Sequence, residues 1–360
     1  MQSILRRWAL FASIPIIALL TLPAGSAYAD ENDGHTIVVE NGHSIQVAVA
    51  AAHPGDTIVV KAGVYKENVV ITTDNLTLRG AGAGKTFLEP PENNSSGCGI
   101  CVFGQGDPNG TAPPTRLVRN DRITGLTARN FQFSGIFGWG TDGLVVSRVD
   151  AVRNGAYGIA RFESTRTVFK DNRASGSGEA GFYVGDSPDA ATTVTGNRAW
   201  DNDLGIFVRH AHGVSLRENQ VFGNCYGALV LDDGQPGGAG DINISDNHFN
   251  KNNKFCPPTA EGPPHGGAGV VLWGAVRSVV QDNEVTNNNI SQDLPGRGGV
   301  VLVSAAGPPS NGSDATGNTI KDNNIKNNVP VDIFWDGKGT NRFLSNDCKT
   351  SIPPGLCRQD

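Results

Sequence analysis

Four ionisable residues, Glu163, Asp186, His210 and Asp232, stand 23, 24 and 22 residues apart. Spacing that regular means that one structural unit repeats and that the four share one position in successive copies. If the copies stack about 4.8 Å apart, Glu163 and Asp186 lie about 5 Å from each other, and Asp186 and Asp232 about 10 Å apart with His210 between them. Those separations bracket the carboxyl spacings used to cleave glycosides, and charges so close raise one pKa, placing an acid beside a base. Two arginines adjoin the set. Arg161 falls at an inward register, where a charge needs a partner such as Glu163, and Arg209 points outward beside His210. A guanidinium there could neutralise a uronate carboxylate while His210 or Arg161 assists proton abstraction. The plainer alternative is that these residues cap turns and form surface ion pairs.

The unit that must position them is marked by a glycine followed by two apolar residues. It reads Gly135-Ile136-Phe137, Gly158-Ile159-Ala160, Gly181-Phe182-Tyr183, Gly205-Ile206-Phe207 and Gly227-Ala228-Leu229, and it returns at Gly269 and Gly299 after longer intervals. Alternation at period two sends the first and third residues after each glycine inward, so stacked coils bury like upon like. An asparagine recurs before the glycine at Asn172, Asn197, Asn219, Asn247, Asn283 and Asn324, a placing that suits a stacked ladder at one corner. Val149 holds the matching place in an earlier coil.

Insertions supply walls. Residues 254–268 and 290–298 precede the glycine strand, and residues 233–240 and 304–315 follow it. Between such walls the outward positions carry Trp139, Phe162, Tyr183, Phe207 and Trp273. An apolar strip with a polar rim marks an interaction surface, and flat rings suit sugar faces. The alternative is that the loops fold down and make these rings a satellite core.

Composition narrows the classes. Net charge is −6 and no stretch gathers Lys and Arg among aromatics, so nucleic acid is not an expected partner. The 47 glycines and 18% charged residues fit short strands and tight turns. Arg6 and Arg7, the apolar run Trp8 to Leu22 and Ala27-Tyr28-Ala29 read as a secretory signal over residues 1–29, leaving residues 30–360 as one exported domain with no membrane span. Six cysteines suggest the local pairs Cys98–Cys101, Cys225–Cys256 and Cys348–Cys357, because stacking brings only neighbouring coils together. Cys98-Gly99-Ile100-Cys101 as a redox or metal motif is the weaker alternative.

Residues 44–52 read as a short amphipathic helix with Ser44 as N-cap, stopped by Pro54-Gly55 and covering the first coil. Strands are expected at Thr57 to Val60, Glu67 to Ile71 and Leu76 to Leu78, with a turn at Gly63 and a rear cap over residues 347–360. The run from Ser44 to Gly80, with Pro54-Gly55-Asp56-Thr57 and Gly63-Val64-Tyr65-Lys66-Glu67-Asn68, resembles the entry segment of secreted pectin-lyase-like proteins. The resemblance implies an all-β, right-handed parallel β-helix of roughly 22–24-residue coils. Members include pectate lyases, polygalacturonases, alginate lyases and epimerases, and a copper-site maturation protein. Arg-x-Pro-x-x-Arg, Gly-His-Gly with Arg-Ile-Lys, and Asp-Pro-His are all missing here, so no family catalytic residue transfers.

The expected function is binding of an extracellular polysaccharide or glycan by a monomer, as a lyase through His210 or Arg161 or as a hydrolase through Glu163, Asp186 and Asp232. A non-catalytic surface or matrix binder is the second reading. Copper handling through His210-Ala211-His212 is the third, although two ligands do not make a site. Asp232-Asp233 could hold calcium, but its Gly-rich continuation lacks the ligand spacing of a calcium loop, and no cofactor is secured.

Overall fold

The computed structural model describes residues 34–92, 97–109, 112–259, 262–294, 296–308 and 310–358. The expected secretory signal lies outside the described residues. The chain winds through three long parallel sheets of 12, 10 and 11 strands, called first, second and third below. One coil shows the plan. Tyr157–Phe162 belongs to the third sheet, Val168–Lys170 to the first and Arg173–Ser175 to the second. Ala180–Ser187 then returns to the third sheet beside Tyr157–Phe162. No coil can bury its apolar side alone, so burial depends on stacking.

The inward columns run as their spacing requires. Ile136, Ile159, Phe182, Ile206, Ala228, Val270 and Val300 pair in register and are fully buried. Columns from the first sheet (Phe169, Val194, Leu216, Ile244, Val280) and the second (Ala174, Ala199, Val221, Phe249, Val285) meet them. In the third column after the glycines a charged residue breaks the apolar rule, Arg161, which pairs with Val184 in the next coil and is wholly buried.

Asparagine ladders hold the corners. Each of Asn172, Asn197, Asn219, Asn247, Asn283 and Asn323 donates its backbone N–H to the side-chain oxygen of the next member, ending at Asn346, over 2.9 to 3.3 Å. Their amides donate back into the preceding coil, as Asn219 Nδ2 does to Val194 O at 2.9 Å. The sixth member is therefore Asn323, and Asn324 opens a strand of the second sheet. The left-handed backbone falls one residue earlier than the ladder, at Asp171, Glu218, Asp246, Asp282 and Asp322, so the asparagines serve as hydrogen-bonding wedges. Val149 sits at the head and donates its N–H to Asn172. A second ladder, Asn202, Asn224, Asn252, Asn288 and Asn328, lines the corner between the second and third sheets. A buried backbone group left unpaired costs about 1–3 kcal/mol, so the ladders let the coils turn without that penalty.

Both ends are covered. Helix Ile45–Ala51 buries Ile45, Ala48 and Val49. Ser44 accepts from Val47 N–H at 3.2 Å, and the Glu67 carboxylate accepts from Ile45 N–H at 2.7 Å and Gln46 N–H at 3.0 Å. Gly63 differs from expectation: it opens strand Gly63–Lys66 of the second sheet, paired with Thr86–Glu89. At the rear, Ser351–Ile352 adds a last strand to the third sheet beside the Cys348–Cys357 bridge. Cys98–Cys101 and Cys225–Cys256 are also bridged, so Cys98-Gly99-Ile100-Cys101 is a staple.

Candidate functional site

At the corner where the third sheet turns into the first, Glu163, Asp186 and His210 each adopt a left-handed backbone, with φ of 46°, 49° and 47°. That bend resolves a conflict: strict alternation would send a charged column inward, where burial is costly. Phe162 pairs with Gly185 and Gly185 with Arg209, so the residues that follow occupy one column, about one strand spacing of 4.8 Å apart. Glu163 is half-buried and the Asp186 side chain is 33% exposed, so both carboxyls reach the surface of the corner.

His210 is buried and bonded on both sides. Its Nδ1 meets Asp186 Oδ1 at 2.9 Å, and its Nε2 meets Asp233 Oδ1. Arg209 Nη2 donates to Asp233 Oδ2 at 2.7 Å. Burial works against the imidazolium, but the bonds to Asp186 and Asp233 outweigh it and hold His210 above its ordinary 6.5. Burial likewise opposes the Asp233 charge, yet the bonds from His210 and Arg209 bring that carboxyl to about 2. Burial and then the Asp186 charge push Glu163 up from 4.5, against the pull of Arg161. A carboxyl inclined to keep its proton thus stands beside one that accepts a hydrogen bond from a cationic ring.

Among the described residues, buried Tyr183 Oη and Arg209 Nε make no hydrogen bond of standard geometry, and the two side chains lie against each other. The Tyr183 ring lies over Gly185, where an added Cβ would meet the hydroxyl at 2.4 Å. Burial, then the Asp186 charge, pushes the Tyr183 phenol up, opposed by Arg209. Burial also opposes the Arg209 charge, but Tyr183, Asp233 and Asp186 hold its pKa higher than usual.

Several expected site residues take other positions. Asp232 leaves the column because the strand ends at Leu231 and the chain departs into the following loop. Its carboxylate accepts N–H groups of Gly234 and Ser313, both at 3.0 Å, tying loop 233–240 to loop 304–315. Asp233 takes the partnership with His210 instead. The only sequence signal for it was its adjacency to Asp232, because register arguments stop where a strand stops. Arg161 does not reach Glu163: it bonds Thr192 Oγ1 at 2.8 Å, Ala190 O at 3.0 Å and the Ser187 hydroxyl. Burial lowers its pKa to about 9, and its place is inside the coil, pinning the 185–192 bend. His210 has no free nitrogen for proton abstraction. His212 Nδ1 and Nε2 meet Asp241 and Gly237 O, both at 2.8 Å, so neither histidine is open to copper. Among the described residues, Asp203, Cys225 and Cys256 also come within ligand spacing, but these cysteines form a bridge.

The outward aromatics also differ from an open floor. Trp139, Phe162, Tyr183 and Phe207 are buried, while Trp273 is half-exposed and donates Nε1–H to Ser304 O at 3.1 Å. Ring centroids step along the sheet at 5.2 Å from Phe137 to Phe162, 4.5 Å to Tyr183 and 5.2 Å to Phe207. Side chains on adjacent coils stand one strand spacing apart, so rings pack on rings before they meet anything else. The described part of loop 254–268 is tied to the opposite edge, where His265 Nε2 meets Asp203 Oδ1 at 2.5 Å.

Three parallel sheets wound into a solenoid, with one charged corner, define a β-helix protein. The chain belongs to the family described as right handed beta helix region, whose model matches residues 62–237 and 134–313. No curated protein sequence matches it. The catalytic unit of the GH87 alpha-1,3-glucanase from Streptomyces thermodiastaticus is similar in structure, at 15% identity and TM-score 0.60 over 87% of this chain and 62% of that one. DFA-IIIase from Arthrobacter chlorophenolicus, solved with DFA-III, shares 14% identity at TM-score 0.58 over 84% and 79%. The A-module of Azotobacter vinelandii mannuronan C-5 epimerase AlgE6 shares 19% at TM-score 0.47 over 86% and 95%. The first two likenesses show the fold. No helix among the described residues is long and apolar enough to cross a membrane.

Proposed function

We propose that the protein is exported and cleaves an extracellular polysaccharide at the Glu163–Asp186 corner, as a retaining glycoside hydrolase. The supporting observation is the pair itself: two surface-reaching carboxyls on adjacent coils, Glu163 raised by burial and by its neighbour, Asp186 bonded to His210. A spacing of about 5 Å suits attack by one carboxylate while the other protonates the leaving oxygen. Glu163 gives its proton to the glycosidic oxygen, and Asp186 attacks the anomeric carbon. Water activated by Glu163 then releases the sugar. His210, cationic and held by Asp233, orients Asp186. Three disulfides fit an oxidising compartment.

A second reading, cleavage by a lyase, draws on the Arg209 guanidinium beside the same corner, a positive charge of the kind that neutralises a uronate carboxylate. Incubation of the purified protein with polygalacturonate, alginate and neutral α- and β-glucans separates the two. New reducing ends without unsaturated product support hydrolysis, and unsaturated product supports the lyase. Binding without either product leaves a non-catalytic binder and overturns both.

A further inference from the structure

The outward face of the second sheet carries a feature that the charged corner does not use. Trp200 and Phe222 pair in register on adjacent coils, both half-exposed, with ring centroids 6.0 Å apart and planes 4° from parallel. The exposed Arg198 guanidinium lies 5.6 Å from the Phe222 centroid and 6.0 Å from that of Trp200, and it has no carboxylate partner among the described residues. The stack ends at Phe222. In the next coil the same column holds Asn250, where a third ring would stand.

The resulting gap is a cavity of about 220 Å³ lined by Gln220, Phe222, His248 and Asn250. Its volume is below the about 300–1,000 Å³ of pockets for drug-sized ligands, leaving room for a single ring. One wall is aromatic and the others are polar. His248 Nδ1 is held by Glu284 Oε2 at 2.8 Å, which leaves Nε2 for a ligand. Asn250 Oδ1 accepts from Asn287 at 3.4 Å, leaving its amide hydrogens, and the Gln220 amide makes no hydrogen bond among the described residues. An apolar face bordered by two amides and an imidazole matches a pyranose, whose C–H face is apolar and whose rim carries hydroxyls.

We propose that this cavity binds one pyranose residue of a glycan, with the ring on Phe222 and its hydroxyls on Gln220, His248 and Asn250. It holds sugar without cleaving it, and it does so whether or not the charged corner is catalytic. A neutral chain binds by stacking and hydroxyl contacts. An acidic chain shares that chemistry and adds the unpaired Arg198.

Ser175, Asn250 and Thr286 occupy the column of Phe222, so the fold accepts small polar side chains there. The test is affinity electrophoresis of the full chain in native gels containing hydroxyethylcellulose or polygalacturonate, comparing the parent with Phe222→Ser and His248→Ala. Retardation by either polymer, weakened about tenfold by Phe222→Ser and also weakened by His248→Ala, with unchanged denaturant midpoints, is the expected result. Retardation by only one polymer identifies its sugar as the ligand. No retardation of the parent, or equal retardation of parent and variants, overturns the proposal. If Phe222→Ser lowers the midpoint, His248→Ala decides by the same two outcomes.

Discussion

Two corners of the same coil solve the same geometric problem in opposite ways. Where the first sheet meets the second, left-handed residues such as Glu218 and Asp246 precede asparagines whose donors and acceptors are met by adjacent coils. Where the third sheet meets the first, left-handed Glu163, Asp186 and His210 stand in a column of charges, next to Tyr183 Oη and Arg209 Nε, which make no hydrogen bond of standard geometry among the described residues. A buried polar group left unmet costs about 1–3 kcal/mol. Among the described residues the asparagines of this ladder corner meet their bonds coil by coil, whereas the charged corner leaves two atoms short of a standard hydrogen bond. Such a contrast between neighbouring turns separates a corner satisfied by repetition from one held by charges.

The comparison breaks most visibly through activity. Glu163→Gln or Asp186→Asn should lower the cleavage rate by a factor of about 100 or more while leaving the denaturant midpoint nearly unchanged. A rate within twofold of the parent would return this corner to simple turn capping. On the ladder side the effects should reverse. Asn219→Ala leaves Asn197 N–H without its acceptor and should cost about 3 kcal/mol in chemical denaturation, with full activity per folded molecule.

Protonation sharpens the contrast further. Because the folded pKa of Asp233 is about 2 against an ordinary 3.8, its contribution of about 2 kcal/mol is present above pH ~4 and lost as pH falls through 2. His210 has the opposite sign: its raised pKa adds stability below its ordinary 6.5, which is lost as pH rises through the folded value. The acid limb of stability against pH should therefore become shallower in Asp233→Asn, by the share of that one carboxyl, and keep its slope in Asn219→Ala. The smallest expected effect is that of Tyr183→Phe. Removing a buried hydroxyl that makes no hydrogen bond of standard geometry should leave stability within about 1 kcal/mol of the parent or raise it, read by chemical denaturation.

The coil repeat, the inward columns and the three bridges were legible in the chain because each depends on neighbours one period away. Stacking at a constant interval turns sequence spacing into distance, so Ile159 above Phe182, or Cys225 near Cys256, follows from counting. Counting also placed Glu163, Asp186 and His210 in one column. It could not replace Asp232 by Asp233, because the chain leaves the repeat at Leu231 and a loop decides which carboxylate turns back.

Nor could it predict that Arg161 would satisfy itself on Thr192, Ala190 and Ser187, or that the outward rings would pack along the sheet. Those outcomes depend on side-chain rotamers and on the paths of inserted loops. Short-range periodicity says nothing about either. The sequence alone therefore determined a stacked solenoid with a charged column. Only the tertiary structure decided which charges meet, because hydrogen bonding selects among neighbours by direction as well as by proximity.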